Sequence, residues 1–338
     1  MTESRDCRPP QGSGAESGPD SAGLPGAIQS PEPDRARGGG TASGAAQLIG
    51  IDLGGTAIKL GRFDQQGQLL AELDVPTPRP SLPGAVTMAI VEAVHQLDPE
   101  HLADRVGVGL PGPTDRAARL ARISINLPGW VDVPLADWLE SRLQRRVTLA
   151  NDANCALLGE AWLGAARACG DTILLTLGTG VGGGVMLAGS LFTGHGGAAG
   201  ELGLIGLDPD GPPCRSGNRG SLEQHCSIAG LARLSPIEPA ELCRLADAGD
   251  AEALAVWQRY GQLLGIGLSS LLYVLTPELV LIGGGLSGAS HHFLPAVWSE
   301  LEQRVLAVSR EGLEIRRCAL GNGAGRLGAA RLALDRLG

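Results

Sequence analysis

Lysine is all but missing from this chain: among 27 basic residues only Lys59 is a lysine, and the others are arginine. Aromatic residues make up 3%, too few for the stacked-ring platforms that hold single-stranded nucleic acid. Positive charge is short as well, with a formal net charge of −9, which argues against a polyanion-binding surface. No apolar run follows the N-terminus, so no secretory signal is expected. The longest apolar stretch, residues 263–275, is broken by Gly265, Gly267, Ser269 and Ser270. It falls short of the ~20 residues of a membrane span and reads as a buried helix. Seven cysteines, odd in number and scattered, form no disulfide framework. These absences predict a cytoplasmic protein with neither a nucleic-acid nor a membrane partner.

Glycine is what the chain has in excess, 52 residues, about twice the usual ~7% share. It has no Gly-X-Y period, so a collagen-like chain is excluded. Nine glycines, six prolines and six serines fall within residues 1–46. Such a segment buries too little apolar surface to offset its ordering entropy, and a disordered tail without a helix-turn-helix is expected there. Order begins at Leu48. Strands are predicted at 48–52, 57–63 and 68–74, with glycine turns between them. The same sequence of strand, glycine turn and strand returns at 172–177 and 184–187. Helical periodicity marks 84–96, 135–143, 154–168, 239–248 and 251–275, and strand-like runs occupy 106–110, 147–150, 279–282 and 313–320. A chain of 338 residues with a duplicated βαβ-type pattern predicts two α/β lobes, with a ligand cleft between them. The predicted division is 47–150 for the first lobe and 151–323 for the second.

The glycine turns carry chemistry. Glycine lets backbone N–H groups approach a phosphate closely. Asp52-Leu53-Gly54-Gly55-Thr56 adds a hydroxyl and a carboxylate, and one aspartate suffices for a magnesium ion that keeps most of its water. The second turn, Gly178-Thr179-Gly180-Val181-Gly182-Gly183, has no helix directly after it, so a Rossmann fingerprint is disfavoured. No Walker-type P-loop is present. A third cluster, Gly283-Gly284-Gly285, reads equally as a shelf for adenine or ribose and as a simple strand-to-helix turn.

Ile51-Asp52-Leu53-Gly54-Gly55-Thr56 and Leu177-Gly178-Thr179-Gly180-Val181-Gly182-Gly183-Gly184 resemble the two phosphate motifs of the actin–hexokinase–Hsp70 superfamily. Leu110-Pro111-Gly112-Pro113, Asn151-Asp152-Ala153-Asn154, Gly197-Ala198-Ala199-Gly200-Glu201-Leu202-Gly203 and Gly220-Ser221-Leu222-Glu223-Gln224 are similar to the ROK family (repressors, open reading frames, kinases). So is the closing stretch 321–330. The resemblance spans residues 47–337. It implies two ribonuclease-H-like lobes around a nucleotide and sugar cleft, with a last helix, 324–337, returning to the first lobe. It also implies ATP- and Mg²⁺-dependent phosphorylation of a hexose at its 6-hydroxyl, glucose foremost, and a homodimer. Asp152 would be the general base. Asn126, Asn151, Glu201 and Glu223 would bind the sugar, and Asp52, Gly54, Gly55, Thr56, Gly178, Thr179, Gly180, Gly182, Gly283 and Gly284 the nucleotide, with Asp52 reaching Mg²⁺ through water. Each assignment has a plainer counterpart. Asn151 or Asp152 could cap a helix, Glu223 could serve a helix dipole, Glu201 could be a solvated loop charge, and Asn126 ordinary turn chemistry.

The family's zinc site is degraded. Leu204 stands at the position of its histidine, and of its three cysteines only Cys214 is present. One thiolate cannot close a tetrahedral shell, so no structural zinc is expected. Arg215 or Arg219 is a candidate to hold that loop instead, solvated charges being the alternative. Leucine at 204 also leaves open which sugar is taken: N-acetylmannosamine, N-acetylglucosamine or fructose remain alternatives, as does a catalytically inactive sugar-binding protein.

Overall fold

The structure, a computed structural model, describes residues 46–124 and 127–335. The expected disordered tail, apart from Ala46, and Asn126 therefore lie outside the described residues. In the first half the chain runs β1 (Gln47–Leu53), β2 (Ala57–Phe63), β3 (Leu69–Pro76), α1 (Pro83–Leu97) and β4 (Ala103–Leu110). It continues through the short ribbon β5 (Ala121–Ile123) and β6 (Val131–Val133), then α2 (Leu135–Leu143), β7 (Arg146–Asn151) and α3 (Asp152–Leu163). The second half has β8 (Thr172–Leu177), β9 (Val181–Leu187), β10 (Ser190–Leu191), α4 (Leu222–Cys226), α5 (Ile228–Ala232), α6 (Pro239–Asp247) and α7 (Ala251–Leu275). It closes with β11 (Leu279–Gly283), α8 (Ser290–Arg304), β12 (Glu314–Arg317) and α9 (Ala324–Asp335).

The strands form two five-stranded sheets, β3-β2-β1-β4-β7 and β10-β9-β8-β11-β12. Each begins as an antiparallel meander and is extended by parallel strands beyond the first strand of that meander. This is the duplication visible in the sequence. Strand alternation sorts the side chains by face. On β1, Ile49, Ile51 and Leu53 enter a core with Val86, Ile90 and Val94 of α1 and Leu135 and Leu139 of α2, while Leu48 faces Leu327 and Ala330 of α9. On β8, Ile173, Leu175 and Leu177 meet Trp257 and Leu264 of α7 and Phe293 of α8. Leu174 turns to the other face, toward Cys155 and Leu157 of α3 and Ala329 and Leu332 of α9.

The pair α3 and α9 thus lies between the sheets. Its packing is backbone on backbone: a Cβ at Gly50 or Gly107 would come within 1.8 Å of the carbonyl of Arg326 or Ala329, and one at Gly328 within 1.6 Å of the Cys155 carbonyl. Among the described residues no helix is long and apolar enough to cross a membrane.

Several segments differ from the sequence expectation: α4, α5 and the short strands β5, β6 and β10 are additions to it, and two further differences have a clear cause. The helix predicted to 168 stops at Leu163, because Glu160 turns back on the chain. Its buried carboxylate accepts the N–H groups of Ala165 at 2.8 Å, Ala319 at 3.1 Å and Leu320 at 2.8 Å. A Cβ at Gly164 would collide with that carboxylate at 2.1 Å. Helix α8 is absent from the sequence reading, since Pro295 lies inside it; Phe293, Val297 and Leu301 nevertheless bury one face at a spacing of four.

Candidate active site

Register brings the acidic residues together. Asp52 stands opposite Gly109 across β1 and β4, and Leu110 opposite Asn151 across β4 and β7, so the three parallel strands end level. In the second sheet Gly283 stands opposite Thr176. Ligands of such sheets bind beyond the carboxyl ends of the strands.

Alternation along β1 turns Leu48, Gly50 and Asp52 toward α9. Gly325, in the first turn of α9, lies against Asp52, and a Cβ there would come within 2.9 Å of the carboxyl. The lone lysine, Lys59, is the cross-strand partner of Asp52. Burial pushes the Asp52 carboxyl up, Lys59 and Arg326 pull it down in part, and Asp74 adds to the rise.

Asp152 opens α3. Asn151 is the helix cap: its Oδ1 accepts the N–H groups of Ala153 at 2.8 Å and Asn154 at 3.3 Å. The capping role its residue type suggests is therefore realised, and its Nδ2 donates at 3.4 Å to the Gly112 carbonyl. Asp152 keeps solvent access on the cleft side, while protein crowds it elsewhere. That crowding pushes its carboxyl up to about 6; the Ala153 N–H opposes the rise and the charge of Asp52 adds to it. Glu201 lies just before the 3₁₀ turn Leu202–Leu204. Its carboxyl is raised by burial and then by the charges of Asp152 and Glu223. Glu223 sits in the first turn of α4 and accepts the Val181 N–H at 3.0 Å. A Cβ at Gly180 would reach that same oxygen at 2.5 Å.

Asp52, Asp152, Glu201 and Glu223 therefore form one electrostatically coupled row. Such a row holds acceptors for several hydroxyls and, in Asp152, a group whose proton affinity suits base work near neutral pH.

The phosphate-type turns flank this row. The first is pinned by Thr77, whose hydroxyl donates to the Gly54 carbonyl at 2.6 Å and whose N–H donates to Thr56 O at 3.0 Å. Gly55 and Thr56 are left exposed. In the second, the Gly178 N–H donates to Gly180 O at 3.0 Å, and Ile228 at the start of α5 donates to Gly178 O at 2.8 Å; Thr179 is exposed. Gly182 packs on Thr176 and Ala153, which brings β9 against the start of α3. Gly284 has φ 80° and lies on the Leu177 backbone, where a Cβ would meet the carbonyl at 2.3 Å. Gly284 thus abuts the second turn. Of the sequence candidates only Asn126 lies outside the described residues.

Residues to which the sequence reading gave no site role also shape the site: Thr77, and Arg326 and Gly325 of the closing stretch. Their signal is positional, since each reaches the cleft only through sheet register or the return of α9. An open depression of about 530 Å³, lined by Lys59, Glu72, Asp74, Asn322 and Arg326 among others, borders the cations around Asp52, and none of the cleft carboxylates lines it. The loop that carries Cys214 is closed by peptide groups. Cys214 N–H donates to Asn218 O at 2.8 Å, Gly220 N–H to Pro212 O at 2.7 Å, and the Asn218 amide to Leu204 O at 3.1 Å.

Two sheets with a shared helical layer, and carboxylates beyond the ends of their parallel strands, define a ribonuclease-H-like fold of the actin and hexokinase type. The ROK family profile matches residues 48–336. A glucokinase of Thermotoga maritima is 34% identical over 313 residues, covering 86% of this chain and 98% of that protein. An N-acetyl-D-glucosamine kinase of Shigella flexneri is 38% identical over 307 residues, covering 84% and 98%. A ROK family glucokinase from Streptomyces griseus, solved with glucose and AMPPNP, superposes with a TM-score of 0.74 at 31% identity, covering 86% of this chain and all of that one. The chain belongs to the ROK family.

Proposed function

We propose that this protein is a sugar kinase that transfers the γ-phosphoryl group of ATP to the 6-hydroxyl of a hexose, glucose foremost. The carrying observation is Asp152: a carboxyl pushed up to about 6 at the start of α3, beside Glu201 and facing Asp52. A hydroxyl is a poor nucleophile until a base accepts its proton as the O–P bond forms. Asp152 is that base, and its raised proton affinity makes it a better acceptor than an ordinary aspartate. Glu201, Glu223 and the Asn151 amide orient the sugar by accepting from and donating to its hydroxyls. The N–H groups of Gly55, Thr56 and Thr179, in the exposed parts of the two turns, would face the phosphates, while those of Gly54, Gly178 and Val181 are bonded to Ala57 O, Gly180 O and Glu223. The exposed Gly284 would border the nucleoside, with Gly283 packed behind it on Cys318. The remaining catalysis is positioning.

Mg²⁺ fits the site: Asp52 is an oxygen donor whose repulsion with Asp152 a cation would relieve. Asp52 would hold it through water, and the ion would supply charge neutralisation at the phosphates. Relatives named for glucose and N-acetylglucosamine support the substrate class.

A second sugar preference, for an N-acetylated hexose, is supported by the similarity to a relative named for N-acetyl-D-glucosamine. A coupled ADP-release assay over glucose, fructose, N-acetylglucosamine and N-acetylmannosamine decides between them. Asp152→Ala is expected to lose about 10²–10⁴-fold in turnover while retaining sugar binding by calorimetry. Unchanged turnover in that variant would remove Asp152 from the mechanism.

A further inference from the structure

A second constellation lies on the second half of the chain, built by residues that neither the row of carboxylates nor the glycine turns use. Cys243 and Asp247 sit four residues apart on α6 and so share a face. His291 and His292 are adjacent in the first turn of α8. The His291 and His292 Nε2 atoms lie 2.9 and 2.8 Å from the same oxygen, Asp247 Oδ1. Cys243 Sγ lies 3.9 Å from the other oxygen, Asp247 Oδ2. One potential ligand atom from each of the four residues falls within 4.8 Å of every other.

We propose that Cys243, Asp247, His291 and His292 form a binding site for a borderline divalent transition ion, Zn²⁺ by preference, that ties the end of α6 to the start of α8. The donor set argues for the ion class. Two imidazole nitrogens, one carboxylate oxygen and one thiolate sulfur are ligands of zinc. Calcium and magnesium select oxygen. Tetrahedral bonds of about 2.0–2.3 Å place neighbouring ligand atoms roughly 3–4 Å apart, so the side chains need only small rotations to admit an ion. The backbone beneath them is fixed: Leu242 and Ala246 on α6, and Phe293 and Val297 on α8, are buried in the same core as α7. The way in is open, because Asp247 and His291 keep 54% and 57% of their side-chain surface exposed. The sequence reading expected no zinc because Leu204 and the lone Cys214 leave the family's own zinc site without its ligands. Here the two halves of the site are separated by more than forty residues, and only the packing of α6 and α8 on α7 unites them.

The test uses full-length, tag-free protein stripped with a chelator and titrated with Zn²⁺ against a chromophoric competitor. One Zn²⁺ per chain is expected, with affinity reduced roughly 10–100-fold or more in His292→Ala and in Asp247→Asn. Co²⁺ is expected to give visible bands of tetrahedral type, together with a thiolate charge-transfer band that Cys243→Ser removes. Zn²⁺ should raise the Tm of the parent protein but not of the His291→Ala/His292→Ala variant. Uptake that is absent in the parent, or equal in the parent and all of these variants, would overturn the proposal and leave Asp247 and the histidines as a contact between helix ends.

Discussion

At the scale of single residues, the cleft works against the stability of the chain that carries it. Asp152 binds its proton more tightly folded than unfolded, because its surroundings disfavour the charge. Between the ordinary carboxyl value near 4 and about 6, the native state holds more protons than the unfolded state, so stability falls as pH rises through that window. Asp152→Asn is therefore expected to raise Tm at pH 7.5 and to leave it unchanged near pH 3.5, where the parent side chain is also neutral. Thermal melts at the two pH values check this. In the proposed mechanism the same proton governs rate. As the base must be ionised, kcat/KM should decline below pH about 6, tenfold per unit once well below it. A profile with no acid limb above pH 5 would contradict the assignment.

At the scale of elements, geometry rather than residue type decides which groups act. Gly325 does so without a side chain of its own. Gly325→Ala would push against the Asp52 carboxyl, and a shift of about 1 Å at a catalytic centre can cost roughly 10²-fold. The expected result is a lowered kcat with Mg²⁺-ATP and a fold unchanged by circular dichroism. Asp98 shows an element junction held by charge. Fully buried after α1, it pairs with Arg145 at 2.8 Å and Arg62 at 3.1 Å and accepts the N–H groups of Leu102 and Ala103. Burial alone would raise its carboxyl, but those two N–H groups and then the arginines outweigh burial and hold it below the usual range. Its stabilisation is present above pH about 4 and is lost as pH falls through the lowered folded value. Asp98→Asn should thus cost about 3 kcal/mol in urea melts at pH 7, and little in strong acid. The sequence made the turns and the acidic candidates legible because the strand and glycine-turn pattern is duplicated and its motifs, in order, resemble those of one family. It placed Gly325 and Arg326 in the closing helix that returns to the first lobe but gave them no part in the site, and it was silent on Thr77, because these roles depend on register and on which turn of that helix meets β1. It was silent on α8 because an interior proline disguised a regular apolar face.

At the scale of the whole molecule, α3 and α9 unite what the duplicated pattern would otherwise leave as two sheets. Glu160 is the tie, a buried carboxylate on α3 that satisfies the N–H groups of Ala319 and Leu320 just ahead of α9. Glu160→Ala would strand those donors at about 1–3 kcal/mol each, and chemical denaturation should show the loss while Mg²⁺-ATP affinity falls with it, because α9 also backs Asp52. That arrangement bears on how the protein is made. A ribosome delivers β1 and β4 well before α9, the helix that covers their inner face and lies about 200 residues further along the chain. Until then Gly50 and Gly107 offer bare peptide groups and Leu48 an uncovered apolar side chain. The first sheet must wait, half clothed, until α9 has been translated, and its nascent form is the state in which chaperones would be expected to meet it.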